Sequence, residues 1–97
     1  MPTYISLLRW TQKGIENVKE SPARLDRAKD AYKAAGAEIK EFYLVNGRYD
    51  TVIIAEAPND EVIAKLALAI GSTGNIRSET ILAFKEEEYR KIIASLP

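Results

Sequence analysis

Ninety-seven residues make one domain, long enough for a single core and too short for two. Fourteen basic residues cancel fourteen acidic ones, so no overall field draws the chain to nucleic acid or to an anionic membrane. Neither cysteine nor histidine is present, which excludes disulfides, thiolate nucleophiles and metals held by either residue.

Any chemistry must therefore use carboxylates, Tyr, Ser/Thr, Lys or Arg, or come with a bound cofactor; the sequence predicts no metal and no cofactor. Apolar content of 46% beside 29% charged residues is that of a folded chain. The start, Met-Pro-Thr-Tyr-Ile-Ser, lacks the basic, then apolar, build of a signal peptide. No apolar run approaches the ~18 residues of a membrane span. The expectation is a cytoplasmic protein.

Thr3 to Trp10 predicts a first strand, with Tyr4, Leu8 and Trp10 on one face and Ile5 and Leu7 on the other. Thr11 to Glu20, with Gly14 among mixed polar residues, reads as a loop or an irregular turn, tucked in by Ile15 and Val18. Ser21-Pro22 signals a helix start, a hydroxyl at the N-cap and proline at the first helical position. Leu25, Ala28, Tyr32 and Ala35 follow at helical spacing, and Gly36 supplies the stop.

Ala37 to Val45 predicts a second strand, with Ile39, Tyr43 and Val45 opposite Phe42 and Leu44. Asn46-Gly47 is a hairpin signal, since both residues tolerate positive φ. A third strand then runs from Tyr49 to Ala57, with Val52 and Ile54 opposing Thr51, Ile53 and Ala55. Asn59 caps a second helix whose apolar face carries Val62, Ile63, Leu66, Ala69 and Ile70. Gly71 to Asn75 ends it; without a following helix N-terminus or a Gly-Lys-Ser/Thr ending, this stretch is no phosphate loop. Ile76 to Phe84 predicts a fourth strand, and Glu86 to Leu96 a charged helix with Tyr89, Ile92, Ile93 and Leu96 on one stripe.

The order β-α-β-β-α-β plus a terminal helix is the split-βαβ pattern: an α+β, ferredoxin-like domain over residues 1–97, with both main helices on one face of an antiparallel sheet. The first three strands are nonetheless apolar on both faces, which an open antiparallel sheet is not. A second copy, sheet facing sheet across a two-fold axis, is the expected cover. The alternative is a monomer whose terminal helix folds over the open face.

Leu8-Arg9-Trp10-Thr11, Ser21-Pro22-Ala23-Arg24-Leu25, Phe42-Tyr43, Gly47-Arg48-Tyr49-Asp50, Glu56-Ala57-Pro58 and Gly74 to Thr80 occur in an order that resembles the GYD domain family of small bacterial and archaeal proteins. Gly47, Tyr49 and Asp50 correspond to the residues that name it. The resemblance implies a ferredoxin-like fold of the dimeric α/β-barrel type and supplies no reaction.

Tyr49 and Asp50 must point to opposite faces. One reading makes either an acid, base or hydrogen-bond anchor at a cavity rim. In the other, Asp50 caps the turn and Tyr49 packs with its hydroxyl at the edge. Arg77 and Glu79 share a strand face; Arg77 is a candidate oxyanion anchor and Glu79 a weak acid–base candidate, or the two form an ion pair that fixes register. Arg9, Trp10 and Tyr43 complete the candidate ligand-binding set. Glu56 is a base candidate if buried and an ordinary surface residue if not.

The functional expectation is a non-catalytic dimer that binds a small metabolite in or beside the space between sheets. A cofactor-independent enzyme using Asp50, Tyr49 or Glu79 with Arg77, and an assembly protein without ligand, are the alternatives. The partners expected are a second copy and a small molecule, with no nucleic acid and no membrane.

Overall fold

The computed structural model describes Met1–Pro97. In chain order come β1 (Thr3–Trp10), α1 (Gln12–Glu16), a 3₁₀ turn (Val18–Glu20), α2 (Ser21–Ala34), β2 (Glu38–Leu44), β3 (Thr51–Glu56), α3 (Asp60–Gly71), β4 (Ile76–Ala83) and α4 (Glu86–Ala94). The strands form one antiparallel sheet in the order β2-β3-β1-β4, the ferredoxin-like arrangement that the alternation of elements predicts. No helix is long and apolar enough to cross a membrane.

Period-two alternation decides what the sheet buries. Tyr4 and Leu8 of β1 and Ile53 and Ala55 of β3 meet Tyr32 of α2 and Ile63 and Leu66 of α3 in the core. The residues between them, Ile5, Leu7, Val52 and Ile54, lie half-exposed on the opposite face, and Ile81 of β4 is 48% exposed beside them. That face has no cover within the chain. Asn59 caps α3 as expected, accepting the Val62 N–H at 3.0 Å, and Gly36 ends α2 at a φ of 78°.

Five local expectations change. Thr11 to Glu20 is a capped turn of helix rather than a loop: the Thr11 hydroxyl accepts the Gly14 N–H at 3.1 Å and donates to the Gly74 carbonyl at 2.6 Å. Gly14 is there for close approach, since a Cβ would lie 1.9 Å from the Asn75 carbonyl oxygen. Ile15, expected to tuck in, is 46% exposed. Ser21 is the first residue of α2 and not its cap; Glu20 holds the cap position without a side-chain bond.

In β2 an irregularity between Ile39 and Glu41 shifts the register. Ile39 and Phe42 therefore both pack towards the core while Tyr43 faces away, as a bulge with its extra residue requires. The hairpin is wider than two residues: Val45 N–H bonds to the Asp50 carbonyl at 2.9 Å, and Leu44 pairs with Thr51. Gly47 has φ of 124°, but no non-glycine residue has positive φ, so the tight turn that needs it at Asn46 as well is not formed.

α4 stands apart. None of its residues is buried, and it makes only fringe contact with other elements. Its start is held by Lys85, whose Nζ lies 3.1 Å from Glu56 Oε2, and Arg90 pairs with Glu86 at 2.8 Å. The chain consequently measures 51 × 31 × 18 Å with a radius of gyration of 14.6 Å, against about 12.5 Å for a compact domain of this length. The terminal helix does not fold over the open sheet face.

Candidate functional site

One end of the open face gathers four of the residues singled out in the sequence. Arg9 of β1 stands directly across from Arg77 of β4. Tyr49, carried over them by the hairpin loop, donates its hydroxyl to Glu79 Oε2 at 3.1 Å. The Arg9 guanidinium lies over the Tyr49 ring at 5.0 Å from its centroid, a cation–π stacking, and its Nε donates to the Arg48 carbonyl at 2.9 Å. With Leu7 and Ser78 these residues line a shallow hollow of about 180 Å³.

Arg77 has no ion-pair partner; the Arg77–Glu79 pair considered from the sequence is absent, because Glu79 takes the tyrosine hydroxyl instead. The cluster offers guanidinium donors to an anion or to a partner's carboxylate. The Tyr49–Glu79 bond is open to water, a setting poorly suited to proton transfer in an enclosed site.

Asp50 is occupied by the backbone. Its Oδ2 accepts the Trp10 N–H at 2.9 Å, and its own N–H donates to the Leu8 carbonyl at 2.8 Å. The residue clasps the hairpin to the end of β1. Trp10 lies on the helix side of the sheet. Tyr43 sits at the β2 edge, where its hydroxyl donates to Glu41, an acceptor that raises the phenol's pKa. These three do not join the arginine cluster. Glu56 is no buried base: the Lys85 hydrogen bond holds its carboxyl below the ordinary range.

A larger hollow, of about 400 Å³, lies on the other face, between the sheet and the two long helices. Leu8, Trp10, Phe42, Ile53 and Ile70 are among its walls, and Ser6, Thr51, Ser78 and Thr80 line its floor. The sequence signal for it is the run of small residues on the inner sides of the helices (Ala28, Ala31 and Ala67), which reads equally well as ordinary helix packing. Tyr32 is buried beside this space, and burial pushes its phenol up.

A family model, the GYD domain, matches residues 4–93. The chain belongs to the GYD domain family. It is 30% identical over 84 residues to a Thermus thermophilus protein described as a glutamine synthetase and cystathionine β-lyase binding protein, covering 86% of this chain and 88% of that one. Among solved structures, the crystal structure of a T. thermophilus protein superposes with a TM-score of 0.56 and 25% identity over 88% of this GYD chain and 95% of that chain. The leucine response regulatory protein of Mycobacterium tuberculosis shares the fold, with a TM-score of 0.65 at 15% identity over 87% of this chain. The GYD chain spans about half, 51%, of that regulator's length.

Proposed function

We propose that this GYD protein is a non-catalytic binding module that works as a homodimer and docks on a metabolic enzyme. Two observations carry the reading: the uncovered apolar sheet face, which a second copy covers, and the Arg9–Tyr49–Arg77–Glu79 cluster at its end, which is left for the enzyme. A contiguous apolar patch of this kind marks an interaction surface, and arginine and tyrosine are the side chains that most often anchor protein interfaces.

The relative described as binding glutamine synthetase and cystathionine β-lyase points to the class of partner. The enzyme reading is weaker because the Asp50 carboxylate already accepts the Trp10 N–H and Tyr49–Glu79 stands in solvent.

The test mixes the purified protein with glutamine synthetase and with cystathionine β-lyase from its own organism, followed by size-exclusion chromatography and biolayer interferometry. Co-elution with at least one is expected, weakened about tenfold by Arg77→Glu, as a reversed charge at an interface does. Failure to bind either enzyme at micromolar concentration would remove the partner from the reading.

A further inference from the structure

The hollow beneath α2 and α3 is a separate feature, on the face of the sheet opposite the surface assigned to protein binding. We propose that it is a binding site for an amphipathic organic anion: an aliphatic or aromatic carboxylate with its apolar body in the cleft and its charge at the mouth. Three observations support this.

The first is size. Protein interiors close-pack and leave few voids larger than a water molecule, whereas about 400 Å³ falls within the range of small-molecule pockets. The space arises from side-chain size. Ala28 and Ala31 of α2 and Ala67 of α3 stand where larger residues would fill it, and the two helices touch only at their fringes.

The second is the floor. Ser6 and Thr51 are buried, and the Ser6 hydroxyl hydrogen-bonds that of Thr80 at 2.9 Å. Apolar residues would make a plainer core; hydroxyls lining a hollow can hydrogen-bond a polar group on an otherwise apolar guest.

The third is charge. The charged residues lining the hollow are Arg24 and Arg27, with no carboxylate, in a chain with as many acids as bases. Neither arginine makes an ion pair. Arg24 is nonetheless held in place, donating to the Asn17 and Gly14 carbonyls at 3.1 and 3.3 Å. Fixed yet uncompensated, its guanidinium suits an anion.

Trp10 is the chain's single tryptophan and lines the hollow, so its fluorescence reports occupancy directly. Sodium octanoate, below its micelle concentration, is expected to give a saturable change in Trp10 emission and amide shifts confined to α2, α3 and the helix side of the sheet. Octylamine, with the same tail and opposite charge, is expected to bind at least tenfold more weakly. Arg24→Gln with Arg27→Gln removes most of that preference. Ala28→Leu with Ala67→Leu fills the space and abolishes binding while circular dichroism and thermal stability show a folded chain.

No saturable response to octanoate overturns the proposal. So does equal affinity for the amine, or undiminished binding in the filled variant. Enzyme docking is read on the opposite face by a different assay, so the two readings stand or fall separately.

Discussion

Tyr4 is 3% exposed where β1 enters the core, and its hydroxyl donates to Asp60 at the start of α3. That hydrogen bond, with burial and the nearby carboxylate charge adding to it, pushes the phenol from 10.0 up to about 12. A group whose folded pKa is raised contributes stability that is full below its ordinary pKa and is lost as pH rises through the folded one. Tyr4→Phe is therefore expected to lower the unfolding free energy by about 1–2 kcal/mol at neutral pH, measured by urea denaturation. The difference from wild type shrinks as pH climbs from 10 towards 12. A difference that stayed constant across that range would assign the loss to packing instead of the Asp60 bond.

α4 is the element least committed to its own domain, and one ion pair tethers its start. The hydrogen bond from Lys85 lowers the pKa of Glu56 below its ordinary 4.5, while Glu56 raises that of Lys85 above its ordinary 10.5. The carboxylate's contribution is present above 4.5 and lost as pH falls through its lowered value; the amine's is present below 10.5 and lost as pH rises through its raised value. The tether is thus intact across the neutral range and fails at both extremes. Because the Lys85 end of the pair stands in solvent, its effect is local and small. Glu56→Gln is expected to speed amide exchange in the first turn of α4 about two- to threefold at neutral pH, with the global melting temperature unchanged. Exchange rates equal to wild type would mean that the Lys85–Glu88 capping contact alone holds the turn.

At the scale of the whole molecule, two apolar surfaces lack partners: the open sheet face and the α4 stripe of Tyr89, Ile92, Ile93 and Leu96. They do not satisfy each other within one chain. Burial of apolar area stabilises association by roughly 25 cal/mol per Å², so a second copy is the simplest cover. Light scattering should give twice the 10.8 kDa chain mass. Leu7→Lys and Ile54→Lys, each placing a charge in the middle of the open face, are expected to yield folded monomers. The monomer already exposes these positions in part, whereas a paired face would bury an uncompensated charge. A wild-type chain that stays monomeric at micromolar concentration would defeat the pairing.

What the sequence determined by itself is whatever depends on neighbours along the chain. Alternation in β1 and β3, helical spacing in α2 and α3, the Asn59 cap and the Gly36 stop are local rules, and they set the element order, the fold and the apolar character of both sheet faces. The ordered motifs around Gly47-Arg48-Tyr49-Asp50 also made the GYD family legible. Tertiary structure decided what depends on distant partners. The β2 bulge reverses the strand's phase by pairing against β3, and Gly14 is required by a carbonyl far away in sequence, at Asn75. The open face holds Arg9, Tyr49, Arg77 and Glu79 together but leaves Trp10 on the other side, because adjacent strand residues point to opposite faces. The hollow under the helices was hidden for the same reason: alanines and hydroxyl residues from separate elements define a volume only once those elements are packed.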